Sequence, residues 1–176
     1  MTKATWNVDT AHSTVEFTVR HMMISNVKGT FNDFQGTIIA DPHDLTDASI
    51  DFTIAASSID TRKNDRDNHL RSADFFDVEN YANLTFTATK VEKKADDQYK
   101  MTGDFTIKDT TKPATFDVTF EGIAKDPMSG DEAAGFTAST KINRKDFGLT
   151  WNAALETGGV VVSDEVKIHL EIQLRK

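Results

Sequence analysis

The chain has 176 residues, of which 38% are hydrophobic and 27% charged. That is enough apolar material for the core of one domain and too much for a disordered chain. A formal net charge of −8 at pH 7 sets the molecule as a whole against phosphate backbones, so no nucleic-acid partner is expected. Cysteine is absent, which removes disulfides, thiolate metal sites and cysteine nucleophiles together.

From Met1 the sequence runs through Trp6-Asn7 into polar, strand-like residues with no apolar signal core, which predicts a cytoplasmic protein. The hydrophobic period is then two. Val15, Phe17 and Val19 alternate with Glu16, Thr18 and Arg20, and His21 keeps the apolar parity. A second short helical turn is allowed over residues 21–26. Ala48, Ile50, Phe52 and Ile54 form the next clear stripe. Residues 65–76 lack alternation and predict a short helix in which Asp67 stands four residues before Arg71, the favourable order for an ion pair. Alternation returns in Leu84, Phe86 and Ala88, in Phe105 and Ile107, in Phe116, Val118 and Phe120, and in Phe136, Ala138, Thr140 and Ile142. The longest stripe is Val166, Ile168, Leu170, Ile172 and Leu174. Turn chemistry separates the stripes at 41–44, 95–97, 109–113 and 126–130. No apolar run exceeds three residues, so no integral membrane segment is expected. No repeat or linker appears, and residues 1–176 read as a single domain.

One apolar face per strand predicts antiparallel pairing. Eight or so strands joined by local turns predict an all-β meander, which removes its edges by closing into a barrel. A barrel of this size is either filled by side chains or holds one small ligand. Twelve phenylalanines against two tryptophans and two tyrosines fit both readings, and Ala48, Ala88 and Ala138 on the apolar parity favour unfilled space. The candidate ligand-binding residues are accordingly Val15, Phe17, Val19 and His21 on the first stripe, with Ile50, Phe52 and Ile54 on the second. Leu84, Phe86, Phe105, Phe116, Val118, Phe136 and Ala138 complete the set.

Catalytic signatures are missing: there is no glycine-rich phosphate loop, nucleophile elbow or His-Glu-x-x-His. The acidic run from Asp65 has Leu70 where a calcium loop needs glycine. No cofactor and no metal are expected. Among the five histidines, His43 in a turn and His169 on a wet parity read as surface residues, while His12, His21 and His69 lack tight ligand spacing. Arg144 is expected to anchor the helix through one of its aspartates, or else to grip a ligand head group.

Several segments in order resemble the YceI-like family: Trp6-Asn7-Val8-Asp9 with His12-Ser13, Phe17-Thr18-Val19-Arg20-His21, Gly29-Thr30-Phe31, Phe34-Gln35-Gly36 and Ser58-Ile59-Asp60-Thr61. Arg66-Asp67-Asn68-His69-Leu70 followed by Ser72-Ala73-Asp74-Phe75-Phe76-Asp77, and Ile142-Asn143-Arg144-Lys145-Asp146-Phe147-Gly148-Leu149, continue it. The resemblance implies an eight-stranded, lipocalin-like antiparallel barrel with one or two short helices packed beside it. It also implies binding of a polyisoprenoid or similar long apolar molecule inside. Tyr81-Ala82 and Asp109 depart from the family pattern, and many members look exported. The sequence thus points to non-catalytic binding of a polyisoprenoid, isoprenoid quinone or fatty amide, for carriage, storage or a stress response, and a homodimer is compatible with it. The rivals are a filled barrel serving as an interaction protein and a lipid-acting enzyme that uses His21 or His69.

Overall fold

The computed structural model describes residues 3–152 and 161–176. Eleven strand segments and one α-helix account for most of them. Three of the long strands are broken. β1 (Ala4–Val8) and β2 (Thr14–His21) both run antiparallel to β11 (Val162–Arg175), so they are one strand interrupted by a 3-10 turn at Thr10–His12. β3 (Ser25–Phe31) lies on β2 and β4 (Phe34–Asp41) lies on β1. β5 (Asp44–Ala55) and β6 (Ile59–Asp60) repeat the arrangement on β4 and β3. β7 (Asn83–Ala95), β8 (Gln98–Ile107), β9 (Thr110–Lys125) and β10 (Glu132–Asn143) follow as an unbroken meander and return the chain to β11. The eleven segments therefore form eight long antiparallel strands, and pairing of β11 with β1 and β2 closes the barrel.

The interruption in the first strand needs compensation, because after the Asp9 N–H donates to the Gln173 carbonyl at 2.8 Å residues 10–13 leave the ladder against β11. Side chains supply it. Asp9 Oδ1 accepts from the backbone N–H of Ala11 at 3.1 Å, and Ser13 Oγ accepts from the Gln173 N–H at 2.9 Å. Arg175 Nε donates to Asp9 Oδ2 at 2.6 Å, and His12 Nδ1 lies 2.9 Å from the same oxygen. The second amino group of Arg175 reaches Asp126 at 2.9 Å, tying the β9–β10 turn to the seam. These bonds account for the Asp9, His12 and Ser13 spacing. They also place His12 at the closing seam, not beside His21 and His69.

Phenyl rings fit between strands because glycines stand opposite them. Phe17 faces Gly29 and Phe52 faces Gly36 across their ladders. A Cβ at Gly29 would stand 2.3 Å from Phe17 Cζ, and one at Gly36 2.8 Å from Phe52 Cδ2. The rings lie over bare backbone that no other residue leaves open.

Local details differ from the sequence expectation. Residues 21–26 form no second helix: Met22, Met23 and Ile24 are the tip of a hairpin whose last pair is His21 with Ser25. α1 spans Asn64–Arg71 and stops at Ser72, whose N–H and hydroxyl both donate to the His69 carbonyl. Asp67 does not pair with Arg71. Its carboxylate is buried and accepts from the N–H and the hydroxyl of Thr61, while Arg71 donates to the carbonyls of Ser57 and Ile59. The turn expected at 109–113 is confined to residues 108–109, and Pro113 lies within β9.

The hydrogen bond from Arg175 is the main cause holding the Asp9 carboxyl below its ordinary value of 3.8, with His12 adding to it and burial opposing it. A carboxyl lowered on folding adds stability that is present above the unfolded value and is lost as pH falls through the folded one. Arg175→Gln should therefore lower the melting temperature at pH 7 by several degrees. The gap from the parent protein should narrow as the pH falls below 3.8, a trend that thermal melts across an acid pH series check.

Candidate ligand cavity

The inner faces of the strands do not meet. They enclose a cavity of about 510 Å³, inside the range of about 300 to 1,000 Å³ usual for small-molecule sites. Alternation dictates which residues line it, since every second side chain of a strand in a closed barrel points inward. Val15, Phe17, Val19 and His21 reach the wall from β2, and Ile50, Phe52 and Ile54 from β5. Leu84 and Phe86 come from β7, Phe105 from β8, Phe116 and Val118 from β9, and Phe136 and Ala138 from β10. All fourteen residues singled out in the sequence thus lie on the cavity wall. Parity also places Ile168, Leu170, Ile172 and Leu174 of β11 there, although the sequence reading took them only as a strand face.

The phenylalanines do two things at once. They pack on one another: Phe86 meets Phe116 edge-on with ring centroids 5.1 Å apart, and Phe34 stacks on Phe52 at 5.8 Å. All but Phe34, Phe120 and Phe147 also present surface to the cavity. The interior is therefore lined with rings and not filled by them.

Polar groups gather at one end. The segments after β6 and after β10 bring Thr61 and Arg144 to the wall there. α1 contributes Asp65, Arg66, His69 and Leu70 to this end of the cavity wall. Arg66 is held through Thr61, donating from Nε to its hydroxyl and from an amino nitrogen to its carbonyl, each at 2.7 Å. Thr61 in turn is fixed by buried Asp67, so the Arg-Asp pair at the start of the family-like motif acts as one bracket. His69 Nε2 lies 2.9 Å from Asp74 Oδ2, and its ring meets Trp151 edge-on at 4.8 Å and Phe75 at 5.2 Å. Strand alternation points to neither Arg66 nor His69, because a helix leaves no period-two signal.

Arg144 is buried, but it does not anchor α1. Its guanidinium donates to the Leu149 carbonyl at 2.6 Å and the Ser163 carbonyl at 2.9 Å, with Asp164 at 4.0 Å. Burial pulls it below the usual guanidinium value and Asp164 opposes the fall; at neutral pH it stays charged. It fastens the loop after β10 to the start of β11. Among the described residues, no cluster of histidines and carboxylates is arranged to hold a metal ion, and no helix is long and apolar enough to cross a membrane.

The model of the YceI-like domain matches residues 6–174. The chain belongs to the YceI-like family. Among its relatives, the UPF0312 protein SERP2314 of Staphylococcus epidermidis is 45% identical over 167 residues, which cover 95% of this chain and 94% of that protein. The UPF0312 protein SA2479 of Staphylococcus aureus is 42% identical, over 90% of each chain. BcnA of Burkholderia cenocepacia superposes with a TM-score of 0.82 at 25% identity, covering 94% of this chain and 98% of its own. The YceI protein of Campylobacter jejuni does so with 0.75 at 35% identity, covering 89% of each. A polyisoprenoid binding domain from Saccharophagus degradans has the same fold, with a TM-score of 0.73 at 12% identity over 97% of each chain.

Ala138 is small and faces the cavity from the middle of β10, opposite Leu170 and Val118 on the neighbouring strands. Ala138→Trp should put an indole into that space and lower the affinity for an apolar fluorescent dye by roughly tenfold or more while the β-sheet circular dichroism persists. Dye titration and circular dichroism on the same preparation check both halves.

Proposed function

We propose that this YceI-like protein binds a long apolar molecule, of the polyisoprenoid, isoprenoid quinone or fatty amide type, with its tail inside the barrel and its head group at the α1 end, and that it acts by binding and not by catalysis. The observation that carries the reading is the cavity of about 510 Å³ with apolar walls along its length and polar side chains at one end. Such a site is asymmetric in the same way as a lipid. The Saccharophagus degradans domain of the same fold is described as polyisoprenoid binding, which agrees with this choice of ligand class.

Energetics favour long ligands over short ones. Each buried CH₂ contributes roughly 0.8 kcal/mol, so a five-carbon unit contributes about 4 kcal/mol before losses. Association costs about 4 to 15 kcal/mol. Several units must then be enclosed before binding is tight, whereas a small polar metabolite would leave its own groups unpaired against phenylalanine and leucine. At the polar end, Arg66 has two of its donors fixed on Thr61, and among the described residues the rest of its fork takes no partner. An oxygen-bearing head group, such as a carbonyl, hydroxyl or phosphate, suits that fork.

Titration with a series of isoprenoid alcohols of increasing length tests the reading. Affinity should rise steeply with each added unit and level off once the barrel is occupied. Affinity that is flat with chain length would contradict it.

A further inference from the structure

The hairpin between β2 and β3 carries a feature that the fold does not need. Its tip is Met22-Met23-Ile24, with relative exposures of 42%, 54% and 75%. These are three of the five exposed large hydrophobic residues among those described, and they are consecutive. Met22 and Met23 also hold φ values of 52° and 65°, the left-handed region in which a tight hairpin favours Asn-Gly. Sequence chemistry at this turn therefore works against the stability of the turn, and strain of that kind points to a use outside folding.

The tip sits at the polar end of the cavity. His21 and Val27, on the two sides of the turn, both line the cavity, and the Met22 N–H donates to the Val161 carbonyl, itself a residue of the wall. On the hairpin itself the charge is the reverse of the molecule's, while Asp164 and Glu165 stand beside it at the start of β11. From Phe17 to Asn32 the sequence has Arg20 and Lys28 and no acid, and both are exposed. β6 lies on β3 and leads towards the same end, where exposed Arg62 and Lys63 precede α1, with Asp60 and Asp65 as the acids of that segment. At the opposite end of the barrel Met128 is 93% exposed, but it lies between Asp126 and Asp131. Among the described residues, the apolar tip, the cations of the hairpin and the polar end of the cavity coincide at one end of the barrel.

We infer that the Met22-Met23-Ile24 tip inserts into the surface of an anionic lipid bilayer and holds the cavity mouth against it, so that the long apolar ligand passes between membrane and barrel without crossing water. Methionine and isoleucine enter the acyl boundary while Arg20, Lys28, Arg62 and Lys63 meet the anionic head groups. The inference rests on the proposed ligand reading for its purpose, but its geometry stands on the hairpin itself.

Absence of cysteine makes the test direct. Ile24→Cys and, separately, Met128→Cys are labelled with an environment-sensitive fluorophore and mixed with vesicles of phosphatidylcholine and phosphatidylglycerol. The label at position 24 should shift to the blue and brighten, less so in high salt as the cationic flank is screened; the label at 128 should not respond. Met22→Asn combined with Met23→Gly should leave the melting temperature equal or higher and reduce vesicle binding by about tenfold or more, which separates docking from folding. No response at position 24, from protein that still takes up an apolar dye, overturns the docking and leaves the ligand reading in place. A response at 24 without dye uptake upholds the docking and removes the ligand reading. A shift that needs no vesicles and grows with protein concentration assigns the tip to a second copy of the chain and overturns the inference.

Discussion

Closure of the sheet on β11 is the constraint on which the rest depends. β11 pairs with β10 along its length on one side and with β2 and then β1 on the other, so it is the one strand that carries both ends of the meander. An open sheet with these alternating faces would expose a row of phenylalanine and leucine to water. Closing it turns that face into the lining of an interior. The break at residues 10–13 falls in this seam, and the bonds from Asp9 and Ser13 to Arg175 and Gln173 replace the ladder lost there.

The cavity follows from closure and from residue size. Eight strands leave more room than the side chains occupy, because Gly29, Gly36 and Ala138 stand where larger residues would fill the interior or collide. Polarity then sets a direction. Apolar side chains run the length of the strands, whereas Arg66, His69 and Asp65 arrive from a helix outside the ladder. Wall and mouth are thus built by different parts of the chain, and substitutions at the mouth can alter head-group choice while leaving the barrel unchanged.

Strand parity was the legible part. Period two alone places Val15, Phe17, Ile50, Phe86 and Ala138 on a common surface, and the structure makes that surface the cavity wall. What stayed hidden depends on contacts distant in sequence or made to the backbone. The breaks that divide three long strands into six segments leave no change in composition. Asp67 has the spacing of a helical ion pair but turns to Thr61, and Arg144 chooses carbonyls at Leu149 and Ser163 that no motif announces. The helix itself was visible from its lack of alternation. Its seat over the barrel end was not, because an eight-residue helix with so few apolar positions carries little directional signal.

The central claim is that the barrel encloses a long apolar molecule. Organic extraction and mass spectrometry of the natively purified protein, beside a denatured and refolded control, test it most directly. The account predicts a long-chain isoprenoid or comparable lipid in roughly one-to-one ratio with the native protein, lost from the control and regained when the lipid is added back. An extract with no long-chain lipid, together with a correctly refolded barrel that takes none up, would contradict it.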